Sequence, residues 1–119
     1  MRHRVNKPAH FGGKDLEHRQ AMVKNLLTSF FLHKSLITTQ KKAEAIAPII
    51  DRLVNMVNEK DEMNAIRFVS GFLYTKESSV ELFKNVAPKY KERKSGMTRI
   101  TPIKYRDGDN AKVVKIELV

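Results

Sequence analysis

The last quarter of the chain limits the choice of fold more than any other stretch. Two β-rich runs, Lys94-Ser95-Gly96-Met97-Thr98-Arg99-Ile100 and Val113-Val114-Lys115-Ile116-Glu117-Leu118, flank the turn cluster Arg106-Asp107-Gly108-Asp109-Asn110-Ala111. This predicts an antiparallel hairpin with a longer-than-minimal loop. Gly108 and Asn110 tolerate positive φ, and Asp107 and Asp109 can bond their own backbone two residues on. In period-two alternation, Val114, Ile116 and Leu118 share one face of the second strand, and Lys115 and Glu117 share the other. On the first strand, Thr98 and Ile100 point opposite to Arg99 and Thr101. Each strand therefore offers a modest apolar face to a core and a charged face to solvent or a partner. Lys91, Arg93, Lys94, Arg99, Lys104 and Arg106 crowd the approach, the first strand and the turn. Phosphate is the natural partner for a sheet corner with that charge.

The rest of the chain supplies a scaffold for this corner. Residues 1–14, with Arg2, His3, Arg4, Lys7 and Lys14, have no periodicity and read as a basic, turn-rich arm unable to bury enough apolar area to fold alone. Such a segment reads either as a frayed terminus or as an arm that orders only against RNA, where guanidinium and imidazole groups can contact phosphates and stack on bases. Asp15 is the expected N-cap of a first helix running to about His33, its inward side formed by Leu16, Val23, Leu26, Leu27, Phe30 and Phe31. Leu36-Ile37-Thr38-Thr39 predicts a short strand, with Thr39 capping a second helix that runs to about Asn58. Ala43, Ile46, Ile50, Leu53, Val54 and Val57 form its stripe, and Pro48 predicts a kink, because it removes the donor for the Glu44 carbonyl. A third helix is expected over 62–72, with Met63, Ile66, Val69 and Leu73 inward. A fourth is expected over 77–87, with Val80, Phe83 and Val86 inward and Pro88 as its stop.

The expected fold is thus α+β in the order α-β-α-α-α-β-β. A small three-stranded mixed sheet carries helices on one face, behind a basic extended N-terminal arm. We expect 1–14 to form the arm and 15–119 a single globular domain. Length supports one small core.

Charge narrows the partner. Lysine and arginine total 23 against 13 acids, a net charge of +10. That excess points to nucleic acid or an anionic membrane. No apolar run approaches the roughly 18 residues of a membrane span, so no membrane partner is expected. The charge is also uneven: residues 1–20 carry +3, 21–60 carry +3, 61–90 balance four against four, and 91–119 carry +4. The neutral middle reads as scaffold and the ends as contact surfaces. Cysteine is absent, which excludes disulfides and thiolate zinc sites, and no apolar signal segment opens the chain. A reducing, cytoplasmic compartment is expected.

Four separated motifs carry a resemblance. Met1-Arg2-His3-Arg4, then His18-Arg19-Gln20-Ala21-Met22 with Asn25-Leu26, then Thr38-Thr39 with Lys42-Ala43, stand in family order before the C-terminal signature. That signature comprises Ser95-Gly96, Thr98-Arg99-Ile100, Arg106, Gly108-Asp109-Asn110-Ala111 and Ile116-Glu117-Leu118. Together they closely resemble the L-seventeen family of bacterial large-subunit ribosomal proteins, across essentially the whole chain. The resemblance implies a structural constituent of the large ribosomal subunit. Its partners would be large-subunit rRNA near the polypeptide exit tunnel and neighbouring large-subunit ribosomal proteins, in a cytoplasmic or organellar ribosome. It implies RNA-facing roles for Arg2, His3, Arg4, His18, Arg19, Lys42, Arg99 and Arg106; Lys7, Lys14, Lys94 and Lys104 join them on charge and position. The chain departs from the family pattern at Ala47-Pro48, Arg52, Met97 and the run Pro8-Ala9-His10-Phe11-Gly12-Gly13.

Two other classes compete with an rRNA-binding structural protein. A basic RNA-processing enzyme would need an acid, a base and an oxyanion stabiliser converging on one point. His18 and His33 lie about four turns apart on one helix, and no paired carboxylates, phosphate loop or nucleophile elbow appears. No catalytic residue, metal ligand, cofactor or small-molecule substrate is therefore expected. A free-standing RNA chaperone would differ mainly in what it travels with.

Overall fold

The Asp15 carboxylate accepts the amide of His18 at 2.7 Å and starts helix α1, Leu16–His33. This cap satisfies one of the donors left open at any helix start. The computed structural model describes residues 15–119, and the arm expected over 1–14 lies outside them. Helix α1 ends on Lys34 in the left-handed region (φ 63°), with its amide returned to the Phe30 carbonyl at 2.6 Å. The reversal delivers the chain directly into strand β1, Ser35–Thr39. Extended Thr39 then leads into α2, Gln40–Glu59, which is not broken at Pro48, an exposed position.

Two further helices, α3 (Glu62–Ser70) and α4 (Lys76–Glu81), precede the hairpin of β2 (Thr98–Tyr105) and β3 (Lys112–Leu118). Helix α4 continues as a π-helical turn, Leu82–Val86, and a 3₁₀ turn, Ala87–Tyr90. Pro88 has no amide proton to give the carbonyl four residues back. The preceding amide, Ala87, reaches the Leu82 carbonyl instead. The order α-β-α-α-α-β-β is the expected one.

The sheet order is β1-β3-β2 and both pairings are antiparallel, so the expected mixed sheet is corrected to an antiparallel one. The hairpin fixes β2 against β3, and β1 pairs with the free edge of β3 from Ser35↔Glu117 to Thr39↔Val113. Entering from the end of α1, β1 runs opposite to β3. Val114, Ile116 and Leu118 face the helices beside Leu36 and Ile100. Beneath them lie Leu27, Phe30 and Phe31 of α1 and Ile46, Ile50, Leu53 and Val54 of α2, all fully buried. Phe30 and Phe31 meet edge to face at 5.4 Å, the arrangement that aromatic quadrupoles favour.

The inward faces of α3 and α4 match the periodicity only in part: of the positions expected inward, Val69, Leu73 and Val86 are buried. Ala65 and Val69 are buried while Met63 and Ile66 are exposed; Ser78, Leu82 and Val86 are buried while Val80 and Phe83 are only half-buried. The small residues Ala65 and Ser78 are fully buried. Ser78 is tolerated there because its hydroxyl donates to the Thr75 carbonyl at 2.8 Å, so no polar group is left unpaired.

Hydrogen bonds anchor the chain end to this body. The Asp51 carboxylate of α2 accepts the amides of Gly96 and Met97, both at 3.2 Å, at the entrance to β2. The Tyr90 hydroxyl donates to the Val119 carbonyl at 2.6 Å. Burial raises the Tyr90 pKa above its ordinary value, which keeps that donor protonated.

Candidate nucleic-acid interface

Strand β2 alternates regularly only as far as Pro102. Pro102 pairs with Val114, but Lys104 pairs with Val113, so Ile103 is an extra residue. The bulge resets the alternation. Without it, Lys104 would follow Thr98, Ile100 and Pro102 onto the helix-facing side. With it, Lys104 stands opposite Val113 on the open face, where Arg99 and Thr101 also lie. β2 is an edge strand, where a proline costs no ladder hydrogen bond.

The open face meets the start of α2 in a concavity of about 360 Å³, lined by Ile37, Thr38, Thr39, Lys42, Lys104, Arg106 and Val113. Three cations from three elements converge there. Helix α2 has no acid in its first turn, Lys41 and Lys42 occupy that turn, and the Thr39 hydroxyl makes no capping bond. A helix start carries partial positive charge, so lysines there repel it unless an anion sits between them. Among the described residues, neither Lys42 nor Lys104 is in an ion pair.

Arg106 is held differently. Its guanidinium grips Asp109 with two hydrogen bonds, 3.1 and 2.5 Å, and Asp109 also accepts the Ala111 amide at 3.1 Å. Backbone bonds from Arg106 to Ala111 (2.8 Å) and from Asn110 to Arg106 (2.9 Å) close the loop, with Gly108 and Asn110 at positive φ. The Arg106 guanidinium, then the Ala111 amide, hold the Asp109 carboxyl at about 2. Arg106 is raised in turn by the same partner. One edge of its guanidinium is occupied, so Arg106 shapes the turn and offers only its remaining donors.

The structure thus brings Lys42, Lys104 and Arg106 together. Arg99 lies on the same open face, opposite Glu117. His18 and Arg19 sit in the first turn of α1, His18 exposed and Arg19 half-buried. Lys94 is exposed in the segment before β2, where its carbonyl accepts from the Asn55 amide at 2.8 Å. None of these four lines the concavity. Arg2, His3, Arg4, Lys7 and Lys14 lie outside the described residues. Sequence reasoning missed the part of Thr38 and Thr39, which line the concavity, and the bulge that turns Lys104; a proline within a strand pattern was the available signal.

His18 and His33 stand at opposite ends of α1, roughly 22 Å apart at helical rise, too far to share one proton transfer. Among the described residues, no group of three or more His, Cys, Asp or Glu is placed to hold a metal ion, and no helix is long and apolar enough to cross a membrane.

A family model described as Ribosomal protein L17 matches residues 22–119. A protein of Geotalea daltonii named large ribosomal subunit protein bL17 is 38% identical over 107 residues, covering 90% of this chain and 59% of its own length. Proteins of the same name from Pelobacter propionicus (36% over 107 residues) and Clostridium perfringens (37% over 107 residues) each match 90% of this chain, and 84% and 94% of their own lengths. The chain therefore spans little more than half of one relative and nearly all of another.

Proposed function

The chain belongs to the ribosomal protein L17 family, and from that membership we propose that it is a non-catalytic constituent of the large ribosomal subunit that binds large-subunit rRNA near the polypeptide exit tunnel. Its place is in the ribosome, beside neighbouring large-subunit proteins. The observation that carries the rRNA reading is the convergence of Lys42, Lys104 and Arg106 in one concavity at the start of α2, with Arg99 on the adjoining open sheet face.

The mechanism is charge neutralisation. Lysine and arginine displace counterions condensed on the RNA, and the released ions drive association. A-form RNA hides its base edges in a deep, narrow groove, so recognition proceeds through backbone and shape. A phosphate in the concavity would receive the Lys42 and Lys104 ammonium groups and offset the partial charge at the start of α2. Arg2, His3, Arg4, Lys7, Lys14, His18, Arg19 and Lys94 extend the footprint, and Arg106 holds the turn while lending its free donors.

The test is binding of a large-subunit rRNA fragment across a salt series. Replacing Lys42 and Lys104 together by alanine should weaken binding and flatten the log–log salt slope by roughly 1.4 to 1.8, at about 0.7 to 0.9 per lost phosphate contact. Both side chains are solvent-accessible, so thermal stability should hold. Unchanged affinity at moderate salt would remove the concavity from the interface.

A further inference from the structure

Two apolar positions expected to face inward on α3 are left without a partner. Met63 and Ile66 of α3 are 63% and 50% exposed. Between these helices and the end of α2 runs a groove of about 870 Å³, with Val57, Leu73, Phe83 and Ala87 in its wall and Ile66 at its lip. That is near the upper end of the roughly 300–1,000 Å³ typical of ligand clefts. None of its lining residues belongs to the sheet or to the basic concavity.

Its rim is charged in one sense. Lys60, Lys76, Lys84 and Lys91 border the groove against a single carboxylate, Glu62. Lys76 and Lys84 come from residues 61–90, which are electrically balanced, and Lys60 and Lys91 flank that segment. Within it, Glu81 turns to Lys34 at 2.7 Å and to Asn85, and Asp61, Glu77, Arg67 and Lys89 do not line the groove. None of the four lysines is in an ion pair among the described residues.

We infer that this groove docks an acidic amphipathic helix of a neighbouring protein. Its apolar side chains fill the trough, and its carboxylates meet the lysine rim. Helix-in-groove recognition uses this combination of apolar anchors at i, i+3, i+4 and i+7. RNA would meet the lysines but leave the apolar wall uncovered. A second copy of this chain would bring another +10 of charge against the rim. The inference does not rest on the rRNA-binding reading.

The test titrates the full chain with a fluorescent helical peptide carrying leucine at i, i+3, i+4 and i+7 and glutamate elsewhere. A second peptide with lysine in place of glutamate is the control. The acidic peptide should bind saturably and more weakly as salt rises; the lysine peptide should not bind. Ile66→Asp, and separately Lys76→Glu with Lys84→Glu, should each weaken binding about tenfold or more. All three are exposed positions, so melting temperatures should hold and separate docking from folding. A photo-cross-linker at Met63 in assembled large subunits should then join an acidic amphipathic segment of another polypeptide. Equal binding of the two peptides, or full binding by Ile66→Asp, overturns the inference. So does a cross-link to rRNA, to a second copy, or to nothing.

Discussion

Arg106 and Asp109 form a clip that sets the shape of the hairpin turn, and the clip has a pH signature. The Asp109 carboxyl is held at about 2, below its ordinary 3.8, first by the Arg106 guanidinium and then by the Ala111 amide. A depressed carboxylate contributes above its unfolded pKa and loses that contribution as pH falls through the folded one. The turn should therefore be intact above about pH 4 and loosen toward pH 2. Carboxyl-carbon NMR should place the Asp109 midpoint near 2 in the native chain, and nearer 3.8 in Arg106→Ala. A midpoint unmoved by that substitution would show that the guanidinium is not its cause. Part of this was legible: the turn residues, positive φ at Gly108 and Asn110, and an Asp bonding backbone two residues on are local properties. The Arg106–Asp109 pair was not, because it forms only once the chain has reversed.

At the scale of elements, the bulge at Ile103 sets which way Lys104 faces. It also allows a prediction opposite to intuition. Deleting Ile103 makes Lys104 the direct neighbour of Pro102, and ordinary alternation then keeps it opposite Val113. The deletion should leave rRNA-fragment affinity within about twofold, whereas Lys104→Glu should reduce it well beyond that. Loss of binding on deletion would mean that Ile103 itself, or the twist the bulge adds, shapes the interface. Strand and helix existence could be read from periodicity because each element's neighbours are local. The inward faces of α3 and α4 could be read only in part. Periodicity names every apolar position of a short helix alike, so it named Val69, Leu73 and Val86, which are buried, together with Met63 and Ile66, which are exposed.

For the whole molecule, β3 joins the hairpin to the helical body. Ile116 is fully buried, pairs with Leu36 and Ile100 across both ladders, and belongs to the same core as Phe30 and Leu53. Ile116→Ala should cost about 2–5 kcal/mol, a large share of the roughly 5–15 kcal/mol of a typical domain. We propose that residues 15–119 melt as one unit. Helical circular dichroism and tyrosine fluorescence should then share one denaturation midpoint, and that midpoint should fall for both probes in the variant. Two midpoints would separate sheet from helices. By itself the sequence determined the element order, the hairpin, the basic excess and the family, since composition, turn chemistry and periodicity are written residue by residue. Only the tertiary structure decided that the sheet is antiparallel throughout, that Lys42 and Lys104 share a concavity, and that Lys60, Lys76, Lys84 and Lys91 rim one apolar groove. Each of these depends on distances between residues remote in the chain, and those distances exist only after side-chain volumes have settled how the helices approach the sheet.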